Sequence, residues 1–321
     1  MDGDGMTDMS RIAGANLGMS RRGALSLLGA GLGAGAMGLA GAGAAQAALA
    51  RPILKTWPVG VQLWSVNAEM AKDVPGTFKR LKATGYDVVE TAGLAGLTAA
   101  AFRKQLDDNG LVCPSTHVAM GDLLTKLDQK IDDSKALGAQ YLVCASPKPP
   151  ASFTLTGDWV TAMKKAMTID AWKANADDLA RIAPIVTKAG LKFAYHNHFM
   201  EFADHDGVTG YDIITKAADP EHLRLEIDLG WVMVGGADPL EILVKHAHQV
   251  DMLHVKDFVR DPSEKIGWRA VDVGAGTIHW PPVLAAARKQ GVKYLFVEQE
   301  GPYAKPVFDS LAAARTFLTG L

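Results

Sequence analysis

Short apolar segments and longer amphipathic segments alternate along the chain from Val59 onward. The short segments are rich in β-branched and aromatic residues, whereas apolar residues recur at helical spacing in the longer ones. Eight such pairs follow one another, and βα units with right-handed crossovers close into a barrel at this number. An open doubly wound sheet usually has fewer strands and a glycine-rich phosphate loop after its first strand, which this sequence lacks. The pattern therefore predicts a single α/β domain, a (β/α)8 TIM barrel.

The predicted strands are short and mostly apolar, and they cover Val59–Trp64, Tyr86–Glu90, Leu111–His117, Gln140–Ala145, Leu191–His198, Leu223–Asp228, Val250–Val255 and Lys293–Glu298. The predicted helices cover Val74–Ala83, Ala99–Asn109, Leu123–Leu137, Ile169–Ala189, Pro239–His248, Pro281–Gln290 and Phe308–Leu318. A glycine suited to a left-handed helix terminus follows five of these helices, at Gly85, Gly110, Gly138, Gly190 and Gly291. The connection Ser146–Met167 is too long for a plain turn, so we expect it to overhang the active site.

The first fifty residues differ from the rest of the chain. Ser20-Arg21-Arg22 precedes a run of Ala, Gly and Leu that contains no acidic residue and reaches Ala45-Gln46-Ala47. This order predicts a twin-arginine-type export signal over residues 1–47, cleaved after Ala47, with the barrel domain over residues 48–321. A retained membrane anchor is the alternative, but small residues give a weak transfer energy into lipid. We therefore expect a periplasmic or secreted protein without stable membrane insertion.

Composition narrows the possible functions. The chain has 321 residues and a formal net charge of -2, so it lacks the basic excess of a nucleic-acid-binding protein. Its two cysteines, Cys113 and Cys144, fall in apolar strand segments and are interpreted as core thiols. A disulfide between them is the alternative, because an oxidising compartment would permit one.

Polar residues stand at the ends of the predicted strands, where a barrel of this kind carries its active site. These residues are Trp64, Glu90, His117, His196 with His198, Asp228, His254 and Glu298. Two carboxylates and an imidazole on the last three strands, without a thiolate, suit one divalent ion such as Mn, Mg, Co or Zn. Alternatively, Asp228 caps the turn Leu229-Gly230-Trp231, and His254 is a core imidazole bonded to Asp257.

Several ordered motifs resemble the xylose isomerase-like superfamily, whose barrels include the sugar phosphate isomerases/epimerases. They are Gly60-Val61-Gln62-Leu63-Trp64-Ser65-Val66, Tyr195-His196-Asn197-His198 with Glu201-Phe202, Ile227-Asp228-Leu229-Gly230-Trp231, His254-Val255-Lys256-Asp257, Gly274-Ala275-Gly276 and Val297-Glu298-Gln299. The resemblance implies a metal site of His196, Asp228, His254 and Glu298, with His198 as the alternative to His196. Ketose epimerases of the superfamily have a glutamate where this chain has His196, and their two glutamates act as paired bases. That departure argues against two-base epimerisation and leaves Glu298 or His198 as the base.

Members of the superfamily with the His-Asn-His pattern and an export signal resemble lyases or hydrolases of 3-keto-glycosides. A ketone at C3 acidifies the hydrogen at C2, and His117, His198 or Lys256 would protonate the leaving oxygen. Lys256 could instead only pair with Asp257. The expected contacts to a carbohydrate substrate come from Trp64, Glu90, Trp231 and Arg260. For each of these four residues a purely structural role is the alternative.

Three other functions compete with this interpretation. A sugar or sugar-phosphate isomerase would need a basic or amide-rich anion pocket if its substrate were phosphorylated, and the last two strand ends show none. A periplasmic sugar-binding protein would keep the pocket without needing Asp228, His254 and Glu298. A metal-dependent endonuclease would need more His and Glu ligands and a basic groove.

Overall fold

Parallel strands close into a barrel in the computed structural model, which describes residues 57–155, 159–301 and 303–321. The strands are β1 (Val59–Gln62), β2 (Val88–Thr91), β3 (Val112–Val118), β4 (Tyr141–Cys144), β5 (Lys192–His196), β6 (Asp204–His205), β7 (Val208–Thr209), β8 (Leu223–Asp228), β9 (Val250–Val255), β10 (Asp257–Arg260), β11 (Trp268–Val271) and β12 (Tyr294–Val297). The barrel order is β1-β12-β9-β8-β5-β4-β3-β2, and the other four strands pair as β6-β7 and β10-β11. The eight-stranded parallel barrel predicted from the sequence is confirmed.

Helices follow the barrel strands and pack around them. They are α1 (Asn67–Met70), α2 (Val74–Ala83), α3 (Ala99–Asp108), α4 (Met120–Ala136), α5 (Trp159–Ala166), α6 (Ile169–Lys188), α7 (Gly210–Ile214), α8 (Leu229–Val234), α9 (Pro239–Lys245), α10 (Trp280–Gln290) and α11 (Val307–Gly320). The five glycines predicted to end helices all have positive φ, as a left-handed terminus requires. Four helices were not predicted: α1, α7, α5, which lies inside the connection predicted to be irregular, and α8, which replaces the turn predicted after Asp228.

The connection after β4 is attached to helix α6. The side-chain amide of Asn175 accepts a hydrogen bond from the Lys148 backbone N at 2.8 Å and donates one to the Lys148 carbonyl at 2.9 Å. Residues 156–158 of this connection are not among the described residues. The expectation that the connection overhangs the active site therefore remains a prediction.

Two strands end two residues earlier than the polar pattern predicted. The first ends at Gln62, whose side chain accepts the Trp64 backbone N–H at 3.0 Å and begins the 3₁₀ turn Leu63–Val66 that carries Trp64. The fifth ends at His196, because the Asn197 side chain takes over the pairing with β8. Its amide accepts from Asp228 N at 3.1 Å and donates to Asp228 O at 3.2 Å. His198 therefore stands beyond the strand.

Apolar side chains fill the interior of the barrel beneath the strand ends. Val88, Tyr141, Val143, Ala194, Met252 and Phe296 form this cluster. Gly60 lies against the Phe296 ring, and a Cβ added there would approach a ring carbon to 2.8 Å, so a larger residue would displace the ring. At the amino ends of the strands, Asp251 accepts from Arg224 at 2.7 Å and from the Tyr141 hydroxyl at 2.9 Å. The open face of the barrel is therefore its carboxyl-terminal one.

Asp257 organises the loop after the β10-β11 hairpin. Its carboxylate accepts hydrogen bonds from the backbone N of Gly274 at 3.0 Å and of Ile278 at 3.3 Å, and from Trp280 Nε1 at 2.9 Å. Asp257 is 1% exposed, so water cannot take the place of its carboxylate as the acceptor for these three donors. The alternative in which Asp257 bonds His254 or Lys256 is wrong, because its carboxylate is aimed at this loop.

Replacing Asp257 by alanine is expected to lower the free energy of unfolding by about 2–3 kcal/mol, because it leaves several buried donors unpaired. Asp257→Asn keeps one acceptor oxygen and should lose less. Urea denaturation of the three proteins measures the difference. Equal stability of Asp257→Ala and the wild type would show that the loop finds other acceptors.

The two cysteines and the possible membrane spans were also subjects of sequence predictions. Cys113 and Cys144 are buried and free, as predicted for core thiols. Within the described part of the chain, no helix combines the length and apolar character that a bilayer crossing requires. The predicted export signal at residues 1–47 lies outside the described residues.

Candidate metal centre

His254 stands at the centre of the polar residues on the carboxyl-terminal face. It has no exposed surface, and each of its ring nitrogens faces a pair of carboxylates. Nδ1 lies 2.9 Å from Glu298 Oε2 and 3.7 Å from Asp228 Oδ2. Nε2 lies 2.7 Å from Glu90 Oε2 and 3.3 Å from Glu226 Oε2. The imidazole therefore separates two acidic sites, one on either side of its ring.

The residues predicted to bind a metal lie together on the Nδ1 side. His196, Asp228, His254 and Glu298, called the outer cluster from here on, offer ligand atoms that all lie within 4.8 Å of one another. Strand register brings two of them side by side, since Asp228 on β8 is aligned with His254 on β9. All four residues are buried. The predicted set thus forms a candidate His/Asp/Glu metal site.

The outer cluster fits a divalent ion on its own geometry. Asp228 Oδ1 accepts the Trp231 backbone N–H at 2.8 Å and caps α8, as the structural alternative held. Its other oxygen, Oδ2, is buried and has no hydrogen-bond partner. Buried carboxylate oxygens normally accept hydrogen bonds, so one that lacks them beside two imidazoles, a second carboxylate and the Lys256 ammonium lies in a position that suits a cation.

Comparison with known proteins identifies the family. Residues 78–318 match the family model described as xylose isomerase-like TIM barrel. The chain belongs to the xylose isomerase-like TIM barrel family. The prediction of an enzyme is confirmed at this level: the chain is an enzyme of the xylose isomerase-like barrels.

Individual relatives of this xylose isomerase-like barrel are distant. An inosose dehydratase of Geobacillus kaustophilus is 28% identical over 134 residues, which are 37% of this chain and 42% of the relative. The chain thus spans less than half the length of this curated relative. A sugar phosphate isomerase/epimerase of Parabacteroides distasonis has a TM-score of 0.65 at 22% identity, covering 82% of this chain and 93% of that one. The 3-keto-D-glucoside 4-epimerase of E. coli has a TM-score of 0.58 at 17% identity, covering 81% and 100%. These two structures support the fold alone.

Lys256 is a buried cation beside the outer cluster. Its ammonium is 2.9 Å from Glu298 Oε2, 2.8 Å from Glu300 Oε1 and 3.1 Å from Asp228 Oδ2. The contact with Asp228 is an ion pair without hydrogen-bond geometry. Burial alone would raise the pKa of Glu298, but Lys256 and His254 hold it below its ordinary value. Glu298 is therefore an ionised carboxylate at neutral pH.

Trp231 and His198 form a wall next to Lys256. The His198 ring stacks on Trp231 with centroids 5.9 Å apart, and the Lys256 ammonium lies 4.5 Å from the Trp231 ring centroid. Burial, and then the charge of Lys256, lower the pKa of His198 to about 3, so its ring is neutral. His198 Nδ1 and Trp231 Nε1 are both buried without a hydrogen-bond partner.

Glu90 and His117 lie on the Nε2 side of His254, together with a residue that the sequence interpretation missed. This residue is Glu226, whose Oε2 is 2.5 Å from His117 Nε2 and 3.2 Å from His196 Nδ1. Glu90 is fully buried, with its oxygens on Gln62 Nε2 at 2.7 Å and Ser115 Oγ at 2.5 Å. Burial alone would lower the pKa of His117, but Glu90 and Glu226 raise it to about 9.

The remaining predicted substrate contacts lie at the periphery. Trp64 is half-buried on the turn after β1. Arg260 is exposed on the β10-β11 hairpin, where its guanidinium lies 3.9 Å from the Trp268 ring centroid. No side-chain contact joins Arg260 to the outer cluster among those described.

Glu201 occupies a second buried polar position just after the His-Asn-His segment. Its Oε1 accepts the Tyr195 hydroxyl at 2.8 Å, while Oε2 is buried without a hydrogen-bond partner. Burial raises the pKa of Glu201 to about 7 against the lowering effect of its hydrogen bonds. The folded protein thus holds this proton more tightly than an unfolded chain does.

The stabilisation associated with the Glu201 proton is present below the ordinary pKa of 4.5 and is lost as the pH rises through about 7. The difference corresponds to about 3 kcal/mol at most. Glu201→Gln is expected to lack this loss, so its stability relative to the wild type should rise between pH 5 and pH 8. Denaturant unfolding of both proteins at the two pH values measures this. The exposed Glu221→Gln is the control, and a parallel pH response of Glu201→Gln and the wild type would contradict the prediction.

Proposed function

We propose that this protein is a divalent-metal-dependent carbon–oxygen lyase, or a hydrolase that works through elimination, acting on a 3-keto-glycoside or related keto-sugar. The observation that carries the proposal is the outer cluster, a buried His/Asp/Glu set in which one Asp228 oxygen accepts no hydrogen bond and is ion-paired with the Lys256 ammonium. A ketone oxygen and a neighbouring hydroxyl are ligands that suit such a site. The names of the relatives, which include a dehydratase and a 3-keto-glucoside epimerase, agree with keto-sugar chemistry.

The outer cluster would hold one Mn, Mg, Co or Zn ion through His196, Asp228, His254 and Glu298. When bound, the ion supplies Lewis-acid polarisation of the ketone. Glu298 is an ionised carboxylate at this position and is suited to accept the proton from the carbon next to the ketone. Lys256 and His117 carry protons, and either would supply one to the departing oxygen.

The elimination balances without an external oxidant or reductant. The C2–H bond breaks and its proton passes to the base, a C1–C2 double bond forms, and the C1–O bond breaks with a proton added to the leaving oxygen. A lyase stops at the unsaturated keto-sugar and the free alcohol, whereas a hydrolase adds water to C1 afterwards. Each step needs one base and one acid.

A one-base reaction fits the site better than two-base epimerisation. Epimerisation needs a proton carrier on each face of the substrate. On strand five this chain has His196 at the corresponding position. Burial, and secondly the charge of the neighbouring histidines, lowers the pKa of His196. His196 is thus a neutral ligand rather than a second carboxylate base. The neutral Nδ1 of His198 and the Trp231 Nε1 donor are suited to bind substrate hydroxyls.

The proposal is tested by incubating the purified mature protein with a methyl 3-keto-glucoside and with an inosose, each in D₂O, and identifying products by NMR. Release of methanol with loss of the C2 hydrogen supports glycoside elimination. Loss of water from the inosose alone would move the function to a dehydratase. Deuterium exchange at C2 without any C–O cleavage would favour an isomerase or epimerase, and sugar binding without turnover or bound metal would favour a binding protein.

We also propose that the protein is exported through a twin-arginine-type signal at residues 1–47. The paired Arg21 and Arg22 and the small-residue run up to Ala47 support this proposal. Cell fractionation of the full chain beside an Arg21→Lys, Arg22→Lys double variant tests it. Export of both proteins, or of neither, would contradict a twin-arginine route.

A further inference from the structure

Tyr195 and His196 are neighbours on β5, and their side chains lie on opposite faces of the barrel wall. Side chains alternate along a strand, so His196 points into the barrel toward the outer cluster while Tyr195 points to the surrounding helices. Tyr195 is 1% exposed, and its hydroxyl donates to Glu201 Oε1 at 2.8 Å. Glu201 lies on the 3₁₀ turn Met200–Phe202 and has no exposed surface. This hydrogen bond therefore closes a loop around the His-Asn-His segment, His196–His198.

The other face of the same segment is attached to β8 and α8. The Asn197 amide holds the backbone of Asp228 through its two hydrogen bonds, and α8 begins directly after Asp228. At the far end of this helix, Gly235 lies against the chain that follows the segment. A Cβ added to Gly235 would approach Phe202 Cβ to 2.8 Å and the Phe199 carbonyl to 2.9 Å. The Tyr195–Glu201 bond therefore completes the fixation of a segment that is already packed against a residue of the outer cluster.

The surroundings of Glu201 do little else for its carboxyl group. Among the described residues, the Tyr195 hydroxyl is the one side-chain donor that reaches Glu201, and Oε2 is buried without a hydrogen-bond partner. Burying a polar group with few hydrogen bonds costs free energy of folding, and an apolar side chain at this position would avoid that cost. Local features that lower stability are expected mainly where they serve a functional site. The arrangement therefore indicates a role in the site rather than in the stability of the helical layer.

We propose that Tyr195 and Glu201 are positioning residues for the outer cluster. Their hydrogen bond holds the His-Asn-His segment so that the His196 imidazole is already aimed at the site before an ion binds. The inference rests on one part of the proposed function, the binding of a divalent ion by the outer cluster. A ligand that is held in place loses less conformational entropy when it binds. Residues that orient metal ligands contribute about tenfold to a hundredfold to metal affinity.

The alternative is that the Tyr195–Glu201 bond only joins β5 to the layer around it. Tyr211 on α7 provides a matched comparison, because it is a second buried tyrosine of the same layer. It is 2% exposed, and its ring lies 4.7 Å from the Phe202 ring, centroid to centroid. Its hydroxyl has no hydrogen-bond partner, so Tyr211→Phe makes the same chemical change as Tyr195→Phe without breaking a hydrogen bond.

The test is the Co²⁺ affinity of the mature protein, measured by titration against a competing chelator under conditions in which circular dichroism shows every variant folded. Tyr195→Phe and Glu201→Leu are each expected to bind Co²⁺ about tenfold more weakly than wild type or worse. The double variant should be no weaker than the weaker single one, because both changes remove the same hydrogen bond. Glu201→Gln keeps an acceptor oxygen for the Tyr195 hydroxyl and should restore the wild-type affinity, and Tyr211→Phe should retain it. The visible absorption bands of bound Co²⁺ should shift in Tyr195→Phe and stay unchanged in Tyr211→Phe.

Equal Co²⁺ affinities of Tyr195→Phe and Tyr211→Phe would overturn the positioning role and leave the proposed function intact. A selective loss in Tyr195→Phe, together with a wild type that turns over no keto-sugar, would support the positioning role and overturn the proposed reaction. A wild type that binds no Co²⁺ would overturn both. If Glu201→Leu does not fold, the comparison of the two tyrosine variants decides the question alone.

Discussion

Replacing Glu298 by alanine is expected to lower kcat for keto-sugar elimination by roughly a thousandfold or more and to remove the ion of the outer cluster. General-base catalysis alone contributes about a hundredfold to ten-thousandfold, and Glu298 is also a predicted metal ligand. The carboxylate is 6% exposed and contacts both His254 and Lys256, so water cannot readily take its place. Steady-state kinetics and metal content of the same preparations measure the two losses together.

Glu300→Ala is the matched control for Glu298→Ala. Glu300 lies two residues further along the chain and shares the contact with Lys256, but it is not a member of the outer cluster. It should keep the ion and most of the rate. A Glu298→Ala protein that keeps both metal and turnover would exclude Glu298 from the site and would weaken the whole functional proposal.

Replacing Lys256 by methionine is expected to lower the free energy of unfolding of the metal-free protein by about 3–5 kcal/mol. The variant leaves Asp228, Glu298 and Glu300 without their shared counter-ion, and removing one partner of a buried ion pair has an effect of this size. The rate of elimination should also fall about a hundredfold, because one of the two proton donors is lost. Thermal unfolding with and without added Mn²⁺ measures the stability.

Added metal should restore part of the stability of Lys256→Met, since a divalent ion also compensates the carboxylates. Lys265→Met, at an exposed lysine, controls for the loss of a positive charge. Equal melting temperatures of wild type and Lys256→Met without metal would show that the carboxylates become protonated at no cost. The electrostatic account of the site would then be wrong.

The barrel and the outer cluster could be predicted because both depend on local patterns. Strand spacing and terminal glycines indicate eight βα units, and a polar residue at the end of an apolar strand points to the catalytic face. Asp228 is the last residue of β8, His254 the penultimate residue of β9, and Glu298 the residue directly after β12. The closed barrel then brings them together without any further information from the sequence.

Glu226 and Glu300 were not predicted, because Glu226 lies two residues before the end of its strand and Glu300 lies three residues beyond the end of β12. Side chains two apart in a strand share a face, so Glu226 points inward with Asp228, and this period was a usable signal. The dual role of Asp228 could not be derived, because helix α8 has only six residues and gives no clear periodic pattern. Which nitrogen of His254 faces which carboxylate depends on barrel geometry, which no local pattern encodes.

Asp228 places one oxygen on the first turn of α8, and its other oxygen accepts no hydrogen bond and faces the Lys256 ammonium at 3.1 Å. The hydrogen bond to Trp231 sets the carboxylate rotamer, and the Asn197 amide holds the backbone on either side of it. This second oxygen is therefore oriented before any metal ion arrives, so ion uptake requires little rearrangement of Asp228 itself. Metal exchange at the mouth of the barrel would then be governed by dehydration of the incoming ion rather than by motion of the chain.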